Sequence, residues 1–144
     1  MGAVKGYRTI IIMPDSVSEE RRKLVRHYGA DVKLIHDAGD IGACIDECLK
    51  TALRMQEKDP RVFVPQQFAN EDNTMAHKNH TALEIMEQVA GPIHGFCSGI
   101  GTGGTITGIG QVLKAQYPDI EIWAVEPENA AILAGGTIGK HIQM

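Results

Sequence analysis

Short apolar runs alternate with amphipathic stretches along this chain. The runs are rich in β-branched residues and are closed nearby by proline, glycine or aspartate, which is typical of buried strands. The predicted strands cover residues 9–13, 31–35, 61–64, 94–97 and 121–125. Between them, apolar residues at helical spacing predict helices over residues 16–29, 40–58, 81–89 and 106–114.

Capping signals mark the ends of two of these helices. Ser16 and Glu19 have the spacing of a capping box, in which each residue satisfies a free backbone donor of the other. Gly29 is a natural left-handed end for the same helix. Asp40 is the expected cap of the next helix, and Asp59-Pro60 ends it.

Strands that alternate with helices favour right-handed crossovers between parallel strands. The predicted fold class is therefore α/β, with three layers: a mostly parallel sheet and helices on both faces. The chain opens on the tail of a helix at residues 3–6, and it stops at residues 141–144 without a closing element. A parallel sheet without its neighbours exposes apolar faces, so we expect an internal piece of a larger fold.

Composition and charge narrow the function classes. Apolar residues make up 43% and charged residues 22% of the 144 residues, which is ordinary for a soluble globular domain. The formal net charge of -4 argues against nucleic-acid binding, which needs a concentrated basic face. No run approaches the ~20 apolar residues that cross a bilayer, and no signal peptide is recognisable. We therefore expect a cytoplasmic protein.

Metal and disulfide chemistry is not indicated. Cys44, Cys48 and Cys97 are an odd count without a CxxC pair, so all three are interpreted as reduced packing residues. His77 and His80, with Glu84 four positions further on, match no defined zinc motif. A solvated start of a helix is the plainer interpretation of these histidines.

The strongest chemical signal is a glycine-rich turn between a predicted strand and a predicted helix, Ser98-Gly-Ile-Gly-Thr-Gly-Gly-Thr105. Glycine permits backbone angles that direct several N–H groups toward one point. The following helix adds the positive end of its dipole, and Thr102 and Thr105 add hydroxyl donors. An anion site is favoured over a packing turn.

The identity of the anion stays open on these residues alone. Gly99, Gly101 and Gly104 formally satisfy the dinucleotide fingerprint, and Glu126 ends the next strand where a ribose-binding acid would lie. However, such a fingerprint usually belongs to the first βα unit, and several units precede this turn. The density of glycine and threonine better suits one terminal phosphate.

Several motifs in order resemble the cysteine synthase (O-acetylserine sulfhydrylase) family, which is pyridoxal-phosphate-dependent with fold type II. The segment from Cys97 to Gly110, CSGIGTGGTITGIG, resembles the family's phosphate loop and following helix. The remaining matches are Met13-Pro14-Asp15 with Ser18-Glu19-Glu20-Arg21-Arg22-Lys23-Leu24, the QQFAN run at 66–70, AVEP at 124–127, and Gly135-Gly136 with His141-Ile142-Gln143. The resemblance covers essentially the whole chain.

The resemblance implies two α/β domains with pyridoxal 5'-phosphate in the cleft between them. Residues 1–68 would belong to the smaller, mobile substrate domain and residues 69–144 to the larger cofactor domain. The cofactor phosphate would be bound by Gly101, Thr102, Gly103, Gly104 and Thr105. Gln67 would help hold the substrate carboxylate, and Phe68 would form the pocket wall. The implied reaction is β-replacement, in which O-acetylserine loses acetate and sulfide adds to give cysteine.

The resemblance also implies that catalytic parts lie outside these residues. The family's Schiff-base lysine and SGNTG loop would lie upstream, and the serine that contacts the pyridine nitrogen downstream. The lysines present match no such motif: Lys5, Lys23, Lys33, Lys50, Lys58, Lys78, Lys114 and Lys140. No catalytic residue is therefore assigned, and the isolated chain is expected to be inactive. The intact enzyme is expected to be a homodimer.

Three hypotheses remain at this point. The first is a fragment of a cysteine synthase or of a relative that makes cystathionine from an activated serine, because both share the phosphate loop. The second is a dinucleotide-binding domain that uses the same turn with Glu126. The third is a non-catalytic piece whose missing sheet neighbours are supplied by another chain.

Overall fold

The computed structural model describes residues 1–128 and 131–135. The chain divides into two compact units, Met1–Val64 and Pro65–Met144. The division lies four residues before the domain boundary that the resemblance implies at residue 68. The assignment of the two units to the family's smaller and larger domains stays a prediction.

The first unit is built on two parallel strands. β1 (Ile10–Pro14) pairs with β2 (Asp31–Ile35) in a register that runs from Ile10 opposite Asp31 to Pro14 opposite Ile35. Three helices accompany them: α1 (Gly2–Lys5), α2 (Glu19–His27) and α3 (Ile41–Lys58). The predictions of both strands and of the two longer helices are confirmed.

The starts of α2 and α3 differ in how well the sequence predicted them. Ser18, not Ser16, caps α2, since its Oγ accepts a hydrogen bond from the Arg21 N–H at 3.5 Å. Ser16 instead donates to Asp37 Oδ2 at 2.6 Å, so the predicted capping box is wrong. Asp40 caps α3 as predicted and accepts from the Ala43 N–H at 3.0 Å.

The predicted strand at residues 61–64 is wrong. No strand is formed there in the part of the chain that the structure describes. Phe63 is 75% exposed, so the apolar run that suggested a strand buries little surface. Arg61 forms hydrogen bonds to Asp59 through its backbone N–H at 3.0 Å and its Nε at 2.9 Å. This local turn takes the place of the predicted strand.

Within its described residues, the second unit contains three α-helices, one π-helical turn and a second parallel strand pair. α4 (Glu71–Ala76) runs through a π-helical turn (His77–Thr81) into α5 (Ala82–Gln88). β3 (Gly95–Gly99) leads to α6 (Gly104–Gln116), and β4 (Glu121–Val125) follows. β3 and β4 are parallel, from Gly95 opposite Glu121 to Gly99 opposite Val125.

The core of the second unit lies between α5, α6 and one face of the strand pair. Ala82, Ile109, Leu113 and Ile120 are buried there, and Phe96 and Ile122 pack against them from the strands. The opposite face carries Cys97 beside Trp123, which is 62% exposed. The packing interpretation therefore holds for the buried Cys44 and Cys48 but is wrong for the exposed Cys97.

The fold class is confirmed as mixed α/β with parallel strands. Each parallel strand pair is joined through a helix, as a crossover between parallel strands requires. Among the described residues, none of the helices combines the length and apolar character that a membrane span needs. The family-like run from Gly136 to Gln143 lies outside the described residues.

Candidate active site

The predicted anion turn lies at the carboxyl end of β3. Ile100 begins it and donates its N–H to the Val125 carbonyl at 3.1 Å, which fixes the turn to the neighbouring strand end. Gly103 has a φ of 83°, a left-handed conformation that a residue with a side chain adopts only with strain. The chain can therefore turn sharply from β3 into α6 only because glycine occupies position 103.

The start of α6 leaves backbone donors available. Its N-cap is Gly103, which has no side chain to bond the free N–H groups of the first turn. The first backbone bond that closes the helix runs from the Thr107 N–H to the Gly103 carbonyl at 3.0 Å. No acidic residue stands in this first turn. Donors and the positive dipole end are therefore combined without a competing carboxylate, which suits a bound anion.

Thr102 contributes a hydroxyl on the incoming side of the turn. Its Oγ1 accepts a hydrogen bond from Asn73 Nδ2 at 2.8 Å and lies 3.4 Å from the Gly104 N–H. Asn73 Nδ2 also donates to the Gln67 carbonyl at 2.9 Å. One amide group thus joins the loop that carries Gln67 to the glycine turn.

Thr105 contributes a second hydroxyl on the helix side of the turn. Its Oγ1 forms a hydrogen bond with His77 Nε2 at 3.1 Å, and His77 Nδ1 forms another with Thr81 Oγ1 at 3.0 Å. Thr81 lies four residues after His77 in the π-helical turn, a geometry that often occurs near functional sites. The interpretation of His77 as part of a solvated helix start is therefore wrong, whereas His80 is exposed.

The segment α4 packs against α6 at unusually short range. A Cβ placed on Gly104 would lie 2.4 Å from Asn73 Oδ1, and one on Gly108 would lie 2.5 Å from the Thr74 carbonyl oxygen. The contact at position 108 requires glycine, because a methyl group would overlap with backbone there. A methyl group at position 104 would displace the side chain of Asn73. The close approach brings Asn73 and His77 to the hydroxyl groups of the turn.

Gln67 and Phe68 lie in a tight turn just before α4. The Gln66 carbonyl accepts from the Ala69 N–H at 2.8 Å and from the Asn70 N–H at 2.9 Å. The side chains of Gln67 and Phe68 are both exposed, and Phe68 retains 71% of its accessible surface. Asn73 thus links the backbone of Gln67 to the side chain of Thr102. The side chain of Gln67 is exposed and can contact a ligand.

Sequence reasoning missed Asn73, His77 and the close contact between α4 and α6. The segment 71–81 contains few apolar residues, so hydrophobic periodicity does not reveal its helices. Gly104 and Gly108, four residues apart on α6, are the one available signal. Small residues at that spacing permit a close helix contact, although they do not identify the partner.

Comparison with known proteins shows the family of the chain. A sequence profile for the family described as pyridoxal-phosphate dependent enzyme matches residues 1–144. The chain belongs to this pyridoxal-phosphate-dependent family. A cysteine synthase of Staphylococcus aureus is 41% identical over 140 residues, which are 96% of this chain and 44% of that protein. The chain therefore spans less than half the length of the curated relative.

Solved structures agree with this membership. A hydrogen sulfide-producing enzyme of Fusobacterium nucleatum is 38% identical with a TM-score of 0.83, over 98% of this chain and 45% of that one. An O-acetylserine dependent cystathionine beta-synthase of Helicobacter pylori is 33% identical with a TM-score of 0.79, over 97% of this chain and 44% of that one. Both share the fold of pyridoxal-phosphate-dependent enzymes of the cysteine synthase type.

The donor set of the turn fits the phosphate group of the family's cofactor. Uncapped amides at the start of α6 and the hydroxyls of Thr102 and Thr105 are all groups that can donate to phosphate oxygens. The alternative of a dinucleotide site is not supported by the family. Glu126, which it required, accepts from the Leu133 N–H at 3.0 Å through Oε1 and at 3.1 Å through Oε2. Its carboxylate is therefore already engaged within the chain.

Proposed function

We propose that residues 101–105 bind the phosphate group of pyridoxal 5'-phosphate. The observation that carries this proposal is the start of α6, where the glycine cap offers no side-chain acceptor to the amides of Thr105 and Ile106 and no carboxylate competes. Charge-assisted hydrogen bonds from backbone amides and hydroxyls to phosphate oxygens are short and strong. The residues assigned to this role are Gly101, Thr102, Gly103, Gly104 and Thr105.

We further propose that Gln67 and Phe68 face the substrate. The exposed amide of Gln67 can donate to a carboxylate, and the exposed ring of Phe68 can supply an apolar wall. The hydrogen bonds of Asn73 to the Gln67 carbonyl and to Thr102 Oγ1 support this role, since they keep the two loops adjacent. A substrate carboxylate at Gln67 would then lie beside the bound cofactor.

The reaction proposed for the intact enzyme is β-replacement on O-acetylserine, with sulfide as nucleophile and cysteine as product. The names of the similar proteins from S. aureus and F. nucleatum support sulfur chemistry of this kind. The cofactor would supply an electron sink for this chemistry, and the residues described above would hold its phosphate and orient the substrate. A relative that makes cystathionine is the second candidate, supported by the similarity to the H. pylori enzyme.

The role of these 144 residues would be binding, without proton transfer. None of the lysines matches a Schiff-base motif, so we expect purified chain to form no cysteine from O-acetylserine and sulfide. We also propose that the intact enzyme is a cytoplasmic homodimer. An activity assay of rigorously purified chain, supplied with cofactor, checks the first expectation, and measurable cysteine formation would contradict it.

The phosphate assignment is tested by comparing two ligands that differ only in the phosphate. Pyridoxine 5'-phosphate and pyridoxine carry no aldehyde, so neither reacts with surface lysines. Isothermal titration of the chain should show that the phosphorylated ligand binds at least about tenfold more tightly, which corresponds to about 1.4 kcal/mol. Equal affinities for the two ligands would overturn the proposal.

A further inference from the structure

Asn73 occupies a bridging position that the assigned site residues do not explain. It is the third residue of α4, it is half-buried, and its side-chain nitrogen donates two hydrogen bonds. One goes to the Gln67 carbonyl at 2.9 Å, and the other goes to Thr102 Oγ1 at 2.8 Å. A backbone carbonyl can only accept, so the group that faces both partners must be the NH₂ end of the amide.

These contacts determine what Thr102 can still do. A threonine hydroxyl has one hydrogen to donate and two lone pairs that accept. At Thr102 Oγ1 one lone pair receives Asn73 Nδ2, and the other faces the Gly104 N–H at 3.4 Å. With both lone pairs occupied, the hydroxyl can form its remaining hydrogen bond only as a donor. A donor is what a phosphate oxygen requires.

The shape of the site keeps Asn73 in this orientation. Its Oδ1 lies where a Cβ on Gly104 would be only 2.4 Å away, so the amide is packed directly against the first residue of α6. Asn70, the cap of α4, accepts from the Asp72 N–H at 2.9 Å and donates to the Pro65 carbonyl at 3.0 Å. The helix that carries Asn73 is thereby anchored at its start.

We propose that Asn73 is a positioning residue that makes Thr102 an obligate donor to the bound phosphate and ties the Gln67 loop to the same point. This inference rests on the proposed phosphate site. Asn73 itself acts through Thr102 and through the Gln67 backbone. It therefore couples the loop assigned to the substrate to the loop assigned to the cofactor by a single amide group.

The test measures the affinity for pyridoxine 5'-phosphate in three backgrounds: unchanged chain, Thr102→Ser and Thr102→Val. Asn73→Ala should weaken binding about 3- to 10-fold in the first two, because the hydroxyl is present. A loss of this size is typical of one neutral hydrogen bond. In the Thr102→Val background the same substitution should have almost no effect. A merely structural role of Asn73 would weaken binding equally in all three backgrounds, and that result would overturn the proposal.

Controls separate this inference from the proposal on which it rests. Asn79 is exposed and makes no side-chain hydrogen bond within the described residues, so Asn79→Ala should leave the affinity unchanged. Asn73→Asp keeps the size of the side chain but offers only acceptors, so it should lose more affinity than Asn73→Ala. Binding that is intact in the unchanged chain and insensitive to both Asn73 variants refutes the positioning role alone. If the unchanged chain binds pyridoxine 5'-phosphate no more tightly than pyridoxine, the phosphate site itself is refuted.

Discussion

Each of the two compact units contains one pair of parallel strands. The units differ in the residues that follow the carboxyl ends of these strands. In the first unit, side chains of the chain itself fill the space after β1 and β2. Asp15 accepts from the Asp37 N–H at 2.9 Å and forms a hydrogen bond with His36 Nδ1 at 2.8 Å. In the second unit, glycine replaces such side chains after β3, and the backbone itself is presented.

The helix starts show the same contrast. α2 and α3 are capped by Ser18 and Asp40, and α2 also has two acidic residues in its first turn. α6 is capped by Gly103 and has neither a side-chain cap nor an acid there. A helix start that is capped by its own side chain is stable without a ligand, whereas an uncapped one gains most from an external anion. The comparison supports the proposal that the start of α6, rather than the start of α2 or α3, binds a phosphate.

The largest expected effect comes from placing a carboxylate beside the uncapped amides. A Cβ on Gly101 meets no atom within 4 Å, so Gly101→Asp can be accommodated. The new charge would repel phosphate and compete for the amides, so affinity for pyridoxine 5'-phosphate should fall at least about tenfold. Gly101→Asn, which is neutral and of equal size, is the matched control. Equal losses for both variants would show that charge is not the cause.

A second comparison concerns the glycines in α6 and α3. Gly108→Ala places a methyl group 2.5 Å from the Thr74 carbonyl oxygen, so it should lower the free energy of unfolding by about 1–3 kcal/mol. Gly42→Ala in α3 meets only Asp40 Oδ1 at 3.4 Å and should stabilise by up to about 1 kcal/mol. Chemical denaturation of the two variants checks the opposite signs. A neutral or stabilising Gly108→Ala would refute the close packing of α4 on α6.

A smaller effect should follow from removing the cap of α3. Asp40→Ala deletes the acceptor for the Ala43 N–H and should cost about 1 kcal/mol of unfolding free energy. Asp46→Ala, an exposed change on the same helix, should alter it by less than about 0.5 kcal/mol. Denaturation curves of both variants measure the difference. Equal effects would contradict the view that α3 depends on its own cap.

The smallest effect concerns the network at the end of β1 and β2. The hydrogen bond to Asp15 raises the pKa of His36 above its ordinary 6.5. The Asp37 N–H and then His36 lower the pKa of Asp15 below its ordinary 3.8. The His36 contribution is complete below pH 6.5 and is lost as pH rises through the raised pKa. The Asp15 contribution is present above pH 3.8 and is lost as pH falls through the lowered pKa.

Substitution of the aspartate tests this pair. Asp15→Asn removes the charge and replaces one carboxylate oxygen by an NH₂ donor, so the pKa of His36 should fall toward 6.5. An NMR titration of the His36 ring measures the change, with Asp46→Asn as the control that should leave the pKa of His36 unchanged. An unaltered pKa of His36 in Asp15→Asn would show that another group holds its proton.

The sequence predicted most of the fold because the patterns that form it are local. The strands at 10–14 and 31–35 and the start of α3 follow from β-branched runs and from the cap Asp40. The helices between residues 71 and 81 were missed because tertiary contacts hold them, above all the approach of α4 to Gly104 and Gly108. The strand expected at 61–64 fails because a strand needs a partner, which no local pattern supplies.

The candidate site divides in the same way. The glycine turn was predictable, because consecutive residues determine both the spacing of its glycines and its position between a strand and a helix. Asn73 and His77 were not predictable, because they lie 29 and 28 residues from the threonines that they contact. Only the folded arrangement brings them together. Asparagine and histidine are equally common in solvated helices, so residue type alone does not predict that these two contact the glycine turn.

The most direct test of the central claim is a titration with inorganic phosphate that is followed by two-dimensional NMR of the backbone amides. The uncapped start of α6 and the capped start of α3 are compared within one sample. The account predicts saturable shifts of the amides of Thr105 and Ile106 and no comparable shift of Ala43, whose N–H is held by Asp40. Shifts of equal size at both helix starts, or none at α6, would contradict it.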